Sequence, residues 1–256
     1  MSTEPTPDTT GGSRSFELEV EVPGTPEEVW RAVATGPGMS SWYVPTTVEE
    51  HEGGATTSRF GEGPEGSVPG RVATWEPPHR VVFAGDPGMG GLAFEWLIEA
   101  RDGGSCVVRL INSGFGEGPE WDGLYDGLLE GWPLFLENLR LHLQHFAGQS
   151  GHAMVPSADL GEDAWARLTA ALGWPADPAV GDRVTAAKGA PTLSGTVATA
   201  GPTRVWLRTD QPAPGTALVA VEGTLASVWG YFYGDDADQV AAAEGPRWRA
   251  WLDALA

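Results

Sequence analysis

Residues 70–81 read GRVATWEPPHRV, and residues 195–205 read GTVATAGPTRV. Both stretches carry a glycine, one variable residue, Val-Ala-Thr, a proline-containing turn and Arg-Val. An internal repeat determines how many structural units a chain forms, so it has to be identified before a fold is assigned. It predicts two copies of one unit here, each with a strand, a turn and a returning strand near its centre.

The flanks of the repeat also match. Upstream, residues 28–33 correspond to residues 163–168, and both segments have the pattern of a short helix. Downstream, Trp132, Phe135, Leu136 and Leu139 correspond to Trp248, Trp251, Leu252 and Leu255. Residues 16–22 alternate strictly between apolar and acidic residues, which predicts an opening strand with one buried face. The second copy shows no such segment, so the sequence predicts that it is truncated.

Length and charge limit the function classes. A chain of 256 residues suits two domains. Its formal charge of -20 repels phosphate backbones and anionic lipid headgroups, so we expect neither a nucleic acid nor a membrane as partner. The absence of a long apolar run and of a leader pattern predicts a cytoplasmic protein. The single cysteine, Cys106, excludes an internal disulfide.

The pattern along the chain predicts four segments. They are a disordered tail (1–13), a first domain (14–146), a linker of small and polar residues (147–158) and a second domain (159–256). Residues 25–28, Thr-Pro-Glu-Glu, predict a capped helix start. Gly- and Pro-rich turns then separate the strands of an antiparallel meander, and residues 121–146 carry a helical apolar stripe. The predicted class is therefore α+β.

These segments resemble the helix-grip, or START-like (SRPBCC), superfamily, and in particular the branch named after the activator of Hsp90 ATPase and its polyketide-cyclase-like relatives. The resemblance rests on residues 25–30, on 70–72 with 77–83, and on 114–115 with 121–124 and 131–139. It covers about residues 14–146. It implies an antiparallel sheet wrapped around the long C-terminal helix with a cavity between them, and a smaller, truncated repeat of that fold after it.

Aromatic residues are the candidate ligand contacts. Phe94 and Trp96 share one face of a strand, and Trp132 and Phe135 share the helix stripe predicted to face that sheet. The resemblance places four more at the cavity mouth: Trp42, Tyr43, Phe115 and Trp121. The alternative is that each of these side chains fills the core, since aromatic residues dominate cores by buried area.

Three polar residues are weaker candidates. Arg109 is either an inward anchor for a carboxylate or carbonyl or an outward residue, and strand parity leaves both open. Asp122 and Tyr125 are candidate general acids or bases if burial shifts the carboxylate toward neutral pH. The alternative for Asp122 is a first-turn acid that complements the helix dipole.

The chain lacks metal-site, nucleotide-binding and nucleophile motifs. His142, His145 and His152 have no paired carboxylate motif, so we expect no metal, and no dinucleotide or phosphate-loop fingerprint predicts a cofactor. We therefore expect a cofactor-free, cytoplasmic protein that binds a hydrophobic small molecule in its first domain. The alternatives are a cyclase that acts on a polyketide-like substrate and a stress-linked protein-interaction module. A homodimer is left open.

Overall fold

The structure, a computed structural model, describes residues 6–8, 14–60, 66–85 and 91–256. It divides into two units, Met1–Gly148 and Gln149–Ala256. Each unit contains an antiparallel sheet and a long closing helix, which confirms the predicted α+β class.

The first unit follows the order strand, two helices, six strands, helix, with one short strand before it. Its elements are β1 (Thr6–Asp8), β2 (Arg14–Pro23), α1 (Pro26–Ala34), α2 (Gly36–Ser40), β3 (Thr46–Val48), β4 (Ala55–Arg59), β5 (Ser67–Glu76), β6 (Arg80–Gly85), β7 (Ala93–Arg101), β8 (Ser105–Phe115) and α3 (Pro119–His145). The eight strands form one antiparallel sheet in the order β1-β2-β8-β7-β6-β5-β4-β3.

Local sequence explains how this unit begins. In β2 the apolar residues at alternate positions are buried, whereas Glu17, Glu19 and Glu21 lie on the other face. At the start of α1, the Thr25 hydroxyl accepts a hydrogen bond from the backbone N–H of Glu28, and the Glu28 carboxylate accepts one from the N–H of Thr25. This capping box satisfies two helix-end donors, and it confirms the predicted helix start.

The second unit repeats the order with fewer strands. Its elements are β9 (Gly151–Met154), β10 (Ser157–Asp159), α4 (Ala164–Leu172), β11 (Arg183–Thr185), β12 (Ser194–Gly201), β13 (Arg204–Gln211), β14 (Gly215–Glu222), β15 (Leu225–Tyr233) and α5 (Ala237–Asp253). The sheet order is β10-β15-β14-β13-β12-β11, and β9 also pairs with β15.

The sequence repeat is also a repeat of backbone geometry. The pairing of β5 with β6 shifts register between Val72 and Thr74, and the pairing of β12 with β13 shifts between Val197 and Thr199. These are the corresponding positions of the two quoted stretches. A β-bulge bends its strand and increases the local twist, so both copies curve their sheet at the same point.

Two predictions for the second unit are wrong. Residues 147–158 contain β9 and β10 rather than a linker alone, and both strands pair with β15. Since β10 joins β15 as β2 joins β8, the second copy does have an opening strand, in two short pieces. The difference lies at the other edge, where β11 and β12 stand in place of β3, β4 and β5.

The predicted disordered tail falls almost wholly outside the described residues. Only Thr6–Asp8 is described, and its backbone pairs with β2 in antiparallel register.

The predicted stripe of α3 is buried only toward its C-terminal half. Trp132, Leu139 and His142 are buried, whereas Leu124 is 39% exposed. Periodicity shows which residues share a helix face, but it does not show how far along the helix the packing extends. Within the part of the chain that the structure describes, no helix combines the length and apolar character needed to cross a bilayer.

Candidate functional site

A cavity of about 90 Å³ lies in the first unit, bounded by the neighbouring strands β3 to β7 together with α2 and α3. It is partly open to solvent. The described residues that line it are Met39, Tyr43, Thr46, Val48, Thr56, Ser58, Phe60, Val68, Pro69, Gly70, Phe83, Ala84, Gly85, Phe94, Trp96 and Trp132.

One side of the cavity is an aromatic wall built around Trp132. Tyr43 stacks on Trp132 at a centroid distance of 5.0 Å, Trp96 meets it edge-on at 5.5 Å, and Phe94 lies at 5.9 Å. Phe135 also packs edge-on against Tyr43, at 4.7 Å. Such ring pairs are stabilised beyond their buried area, so the wall holds a defined shape.

The other side carries hydroxyl groups. Thr46 and Ser58 are cross-strand partners on β3 and β4, and their hydroxyl oxygens lie 3.2 Å apart. The Thr46 hydroxyl also lies 2.8 Å from the carbonyl oxygen of Val44, to which it donates. Thr56 adds a third hydroxyl on β4. The sequence does not predict this side of the cavity, because β3 and β4 are short strands without an alternating apolar pattern.

The described lining of the cavity contains no charged residue. Its titratable group is the phenol of Tyr43, and burial raises the pKa of that phenol well above its ordinary value. Tyr43 therefore stays protonated at neutral pH, and its hydroxyl remains a hydrogen-bond donor. The described lining therefore offers apolar contact and hydrogen bonding but no charge.

Behind the aromatic wall lies a buried amide. The indole N–H of Trp132 donates to Oδ1 of Asn112 over 2.8 Å, and Asn112 is fully buried. An indole nitrogen only donates, so this contact identifies the other amide atom as nitrogen. That atom, Nδ2, has no hydrogen-bond partner among the described residues. A buried donor without an acceptor costs about 1–3 kcal/mol of stability.

The structure brings together four of the predicted ligand contacts. Tyr43, Phe94, Trp96 and Trp132 line the cavity, and Phe135 lies next to it. Trp42 does not line it. That side chain is fully buried, packs edge-on against Trp96 at 5.8 Å, and donates its indole N–H to the carbonyl oxygen of Ala32.

Two further predicted contacts lie elsewhere in the unit. Phe115 stacks on Phe16 at 5.7 Å and meets Trp121 edge-on at 6.5 Å. Neither Phe115 nor Trp121 is among the lining residues. The prediction placed both at the cavity mouth because they stand at the entrance of α3, but the cavity forms beside the middle of that helix.

Arg109 faces outward on β8. Its parity is opposite to that of the buried Val108 and Leu110, and its guanidinium lies 2.8 Å from Glu17 and 2.7 Å from Glu19. The hydrogen bond with Glu19 holds the pKa of the guanidinium above its ordinary value. The inward-anchor alternative is therefore wrong, and Arg109 belongs to a surface ion network.

Asp122 and Tyr125 also lie away from the cavity. The Asp122 side chain is 59% exposed and pairs with Arg14 at 2.6 Å, so the burial that a general acid or base role required is absent. Tyr125 packs edge-on against Phe16 at 5.4 Å and Phe115 at 5.0 Å, under the guanidinium of Arg14. Both side chains fasten the start of α3 to β2.

Within the described residues, no group of three or more histidine, cysteine or acidic side chains is placed to hold a metal ion. Cys106 is a buried free thiol, and burial raises its pKa. Such a thiol is a poor nucleophile at neutral pH.

Residues 13–139 match the model of a family described as polyketide cyclase / dehydrase and lipid transport. An uncharacterized protein of Mycobacterium tuberculosis is 29% identical in an alignment of 115 residues that covers 39% of this chain and 76% of that protein.

Solved structures are similar at low sequence identity. The Aha1 dimer from Colwellia psychrerythraea is 18% identical with a TM-score of 0.44, over 51% of this chain and 96% of that chain. CalU16 from Micromonospora echinospora is 17% identical with a TM-score of 0.44, over 57% and 87%. The di-domain ARO/CYC BexL from the BE-7585A biosynthetic pathway is 15% identical with a TM-score of 0.48, over 94% and 93%.

Proposed function

We propose that this chain, whose first unit has the SRPBCC-type helix-grip fold of the polyketide-cyclase-like family, binds a neutral hydrophobic small molecule in the cavity of that unit. One observation carries the proposal. The described lining is aromatic on one side and hydroxyl-bearing on the other, with no charged side chain. Mostly apolar pockets with a few polar groups are the usual form of small-molecule sites.

The size of the cavity adds a condition. A volume of about 90 Å³ is smaller than the roughly 300 Å³ at the lower end of ordinary ligand pockets, so binding requires some lining side chains to move outward. Phe60 is the side chain best placed to do so, because it is 50% exposed and contacts Tyr43 by one ring edge at 5.7 Å.

The same geometry supports binding over cyclisation. A cyclase of the predicted kind needs an acid or base at the cavity, and Arg109, Asp122 and Tyr125 all lie outside its lining. Tyr43 remains, but its raised pKa makes it a weak acid. We therefore put binding first. If the purified protein converted an extracted ligand into a product, that result would favour the cyclase function over binding alone.

The test is native mass spectrometry of the freshly purified full chain, followed by organic extraction and mass analysis of what is released. We expect a stoichiometric, extractable adduct on the wild type. Val68→Phe enlarges a lining side chain and should abolish the adduct. Val82→Phe makes the same change on β6, at a position that alternates with the buried Val81 and Phe83, and should retain it.

An unliganded mass, together with failure of hydrophobic dyes to bind the wild type, would overturn the proposal. An adduct that survives Val68→Phe but is lost in Val82→Phe would also overturn it, since the ligand would then lie on the other face of the sheet.

A further inference from the structure

Asn112 occupies a position where the fold itself does not need a polar residue. The inward residues of β8 after its hairpin turn are Cys106, Val108, Leu110 and Asn112. The inward residues of β15, counted in the same way, are at positions 226, 228, 230 and 232, so Phe232 corresponds to Asn112. The second copy thus has a buried phenylalanine at the corresponding position of its own sheet.

The closing helices of the two units, α3 and α5, show the same difference. Trp132 of α3 corresponds to Trp248 of α5 in the repeat, and both indoles are buried. Trp132 has Asn112 as acceptor, whereas the indole nitrogen of Trp248 has no partner in the described structure. The helix-grip arrangement therefore forms without the asparagine, and the pairing of an asparagine with this indole is particular to the first unit.

The pairing also orients the amide. Since Oδ1 is occupied by Trp132, the donor Nδ2 is held in a defined direction with no acceptor among the described residues. Asn112 is the direct cross-strand partner of Phe94. Phe94 and Trp132 both line the cavity, so the unpaired donor lies directly behind these two side chains, and a ligand reaches it by displacing one of them. A buried donor that is fixed in place but unpaired is destabilising, which points to an acceptor that arrives with a ligand.

We infer that Asn112 is the specificity-determining hydrogen-bond donor of the cavity, and that it selects ligands carrying a neutral oxygen acceptor such as a ketone or quinone carbonyl. This inference rests on the proposed binding function. The acceptor is neutral because the described lining offers no cation to pair with a carboxylate. Trp132 acts as a positioning residue, because it orients the amide through Oδ1.

The test compares two rigid probes of nearly equal shape, 1-indanone and indane, which differ by one carbonyl group. Their dissociation constants are measured by calorimetry for the wild-type full chain and for Asn112→Leu. Leucine has the same branching and the same number of side-chain heavy atoms as asparagine but no donor. Its larger volume affects both probes alike, because their shapes are nearly equal. The quantity of interest is the ratio of the two dissociation constants.

We expect Asn112→Leu to shift that ratio by about tenfold in favour of indane, the loss of one net hydrogen bond, with indane affinity little changed. An unchanged ratio, with both probes bound, overturns the role of Asn112 and leaves the binding function standing. If neither probe nor any hydrophobic dye binds the wild type, the binding function itself fails, and this inference fails with it.

If Asn112→Leu does not fold, the side-chain amide protons of Asn112 are followed by NMR in the wild type. Movement of these signals with 1-indanone but not with indane supports the inference. Equal movement with both probes overturns it, because a change in packing alone would act on both.

Discussion

Arg14 donates a hydrogen bond of 2.6 Å to Asp122, and this contact joins the first residue of β2 to the first turn of α3. The Arg14 guanidinium also lies 5.0 Å from the ring centroid of Tyr125. Two residues that the sequence suggested for catalysis therefore share one cation at the helix start.

Asp122→Asn tests this assignment. Both partners of the pair are partly exposed, so we expect a loss of no more than about 1 kcal/mol in the free energy of unfolding. Binding at the cavity should be unchanged, because Asp122 does not line it. Urea unfolding and a ligand titration measure the two effects. A large loss of affinity with normal stability would restore Asp122 to the site.

Arg109→Met tests the surface ion network. Arg109 lies within 4 Å of Glu17, Glu19 and Glu99, so its removal leaves three carboxylates close together. We expect a stability loss of about 1 kcal/mol at low ionic strength, and a smaller loss in 1 M salt, which screens exposed charges. Arg101→Met is the control, since Glu99, at 3.5 Å, is the one ion-pair partner of Arg101 among the described residues. Equal, salt-independent losses in both variants would contradict the network.

His142→Gln tests a pH dependence. Burial lowers the pKa of His142 to about 4, against an unfolded value of about 6.5. Between these values the unfolded chain binds a proton that the folded chain does not, so stability falls as pH drops from about 6.5 to about 4. The linkage relation gives a loss of up to about 3 kcal/mol for this group.

The measurement is urea unfolding at pH 7 and pH 4.5. His142→Gln should show a smaller difference between the two pH values than the wild type. His79→Gln, which changes an exposed histidine, should behave like the wild type. If His142→Gln shows the full wild-type difference, other groups account for the acid sensitivity.

Glu244→Leu tests a buried carboxylate in α5. Glu244 belongs to the buried stripe of that helix, one of its oxygens has no partner among the described residues, and Leu128 is its counterpart in the first copy. The side chain of its ion-pair partner, Arg247, is 67% exposed, so its guanidinium stays hydrated when the carboxylate is removed. We expect the variant to be more stable by about 1 kcal/mol.

Arg247→Met is the contrasting variant. It leaves the Glu244 carboxylate buried without its partner at 2.6 Å, so it should lower the stability. Thermal and urea unfolding measure both variants. A destabilised Glu244→Leu would show that the carboxylate has a structural partner in solution.

Regular patterns made much of the first unit predictable. Strict alternation in residues 16–22 predicted β2, and the Thr-Pro-Glu-Glu run predicted the start of α1. The parity of Phe94 and Trp96, combined with the helical spacing of Trp132, placed three cavity-lining side chains together. In each case a local period determines which way the side chain faces.

The remaining features depend on tertiary partners. β9 and β10 are four and three residues long and carry no alternating pattern, so their pairing with β15 decides their conformation. Asn112 is one of several polar residues in the sequence of β8. Its hydrogen bond with Trp132, which is 20 positions away, is formed only in the folded chain. The position of the cavity along α3 likewise depends on β3 and β4, which have little apolar character.

The outermost strands of both described sheets are short, and their length bears on whether two copies of the chain can join edge to edge. The first described sheet ends on Thr6–Asp8 and Thr46–Val48, each of three residues. The second ends on Arg183–Thr185 at one side and, at the other, on two short strands that both pair with β15, Gly151–Met154 and Ser157–Asp159. An exposed edge is a template on which another chain can add a strand, and a short edge offers few free backbone groups. Growth of intermolecular sheets from the folded state is thus disfavoured at each of these four margins.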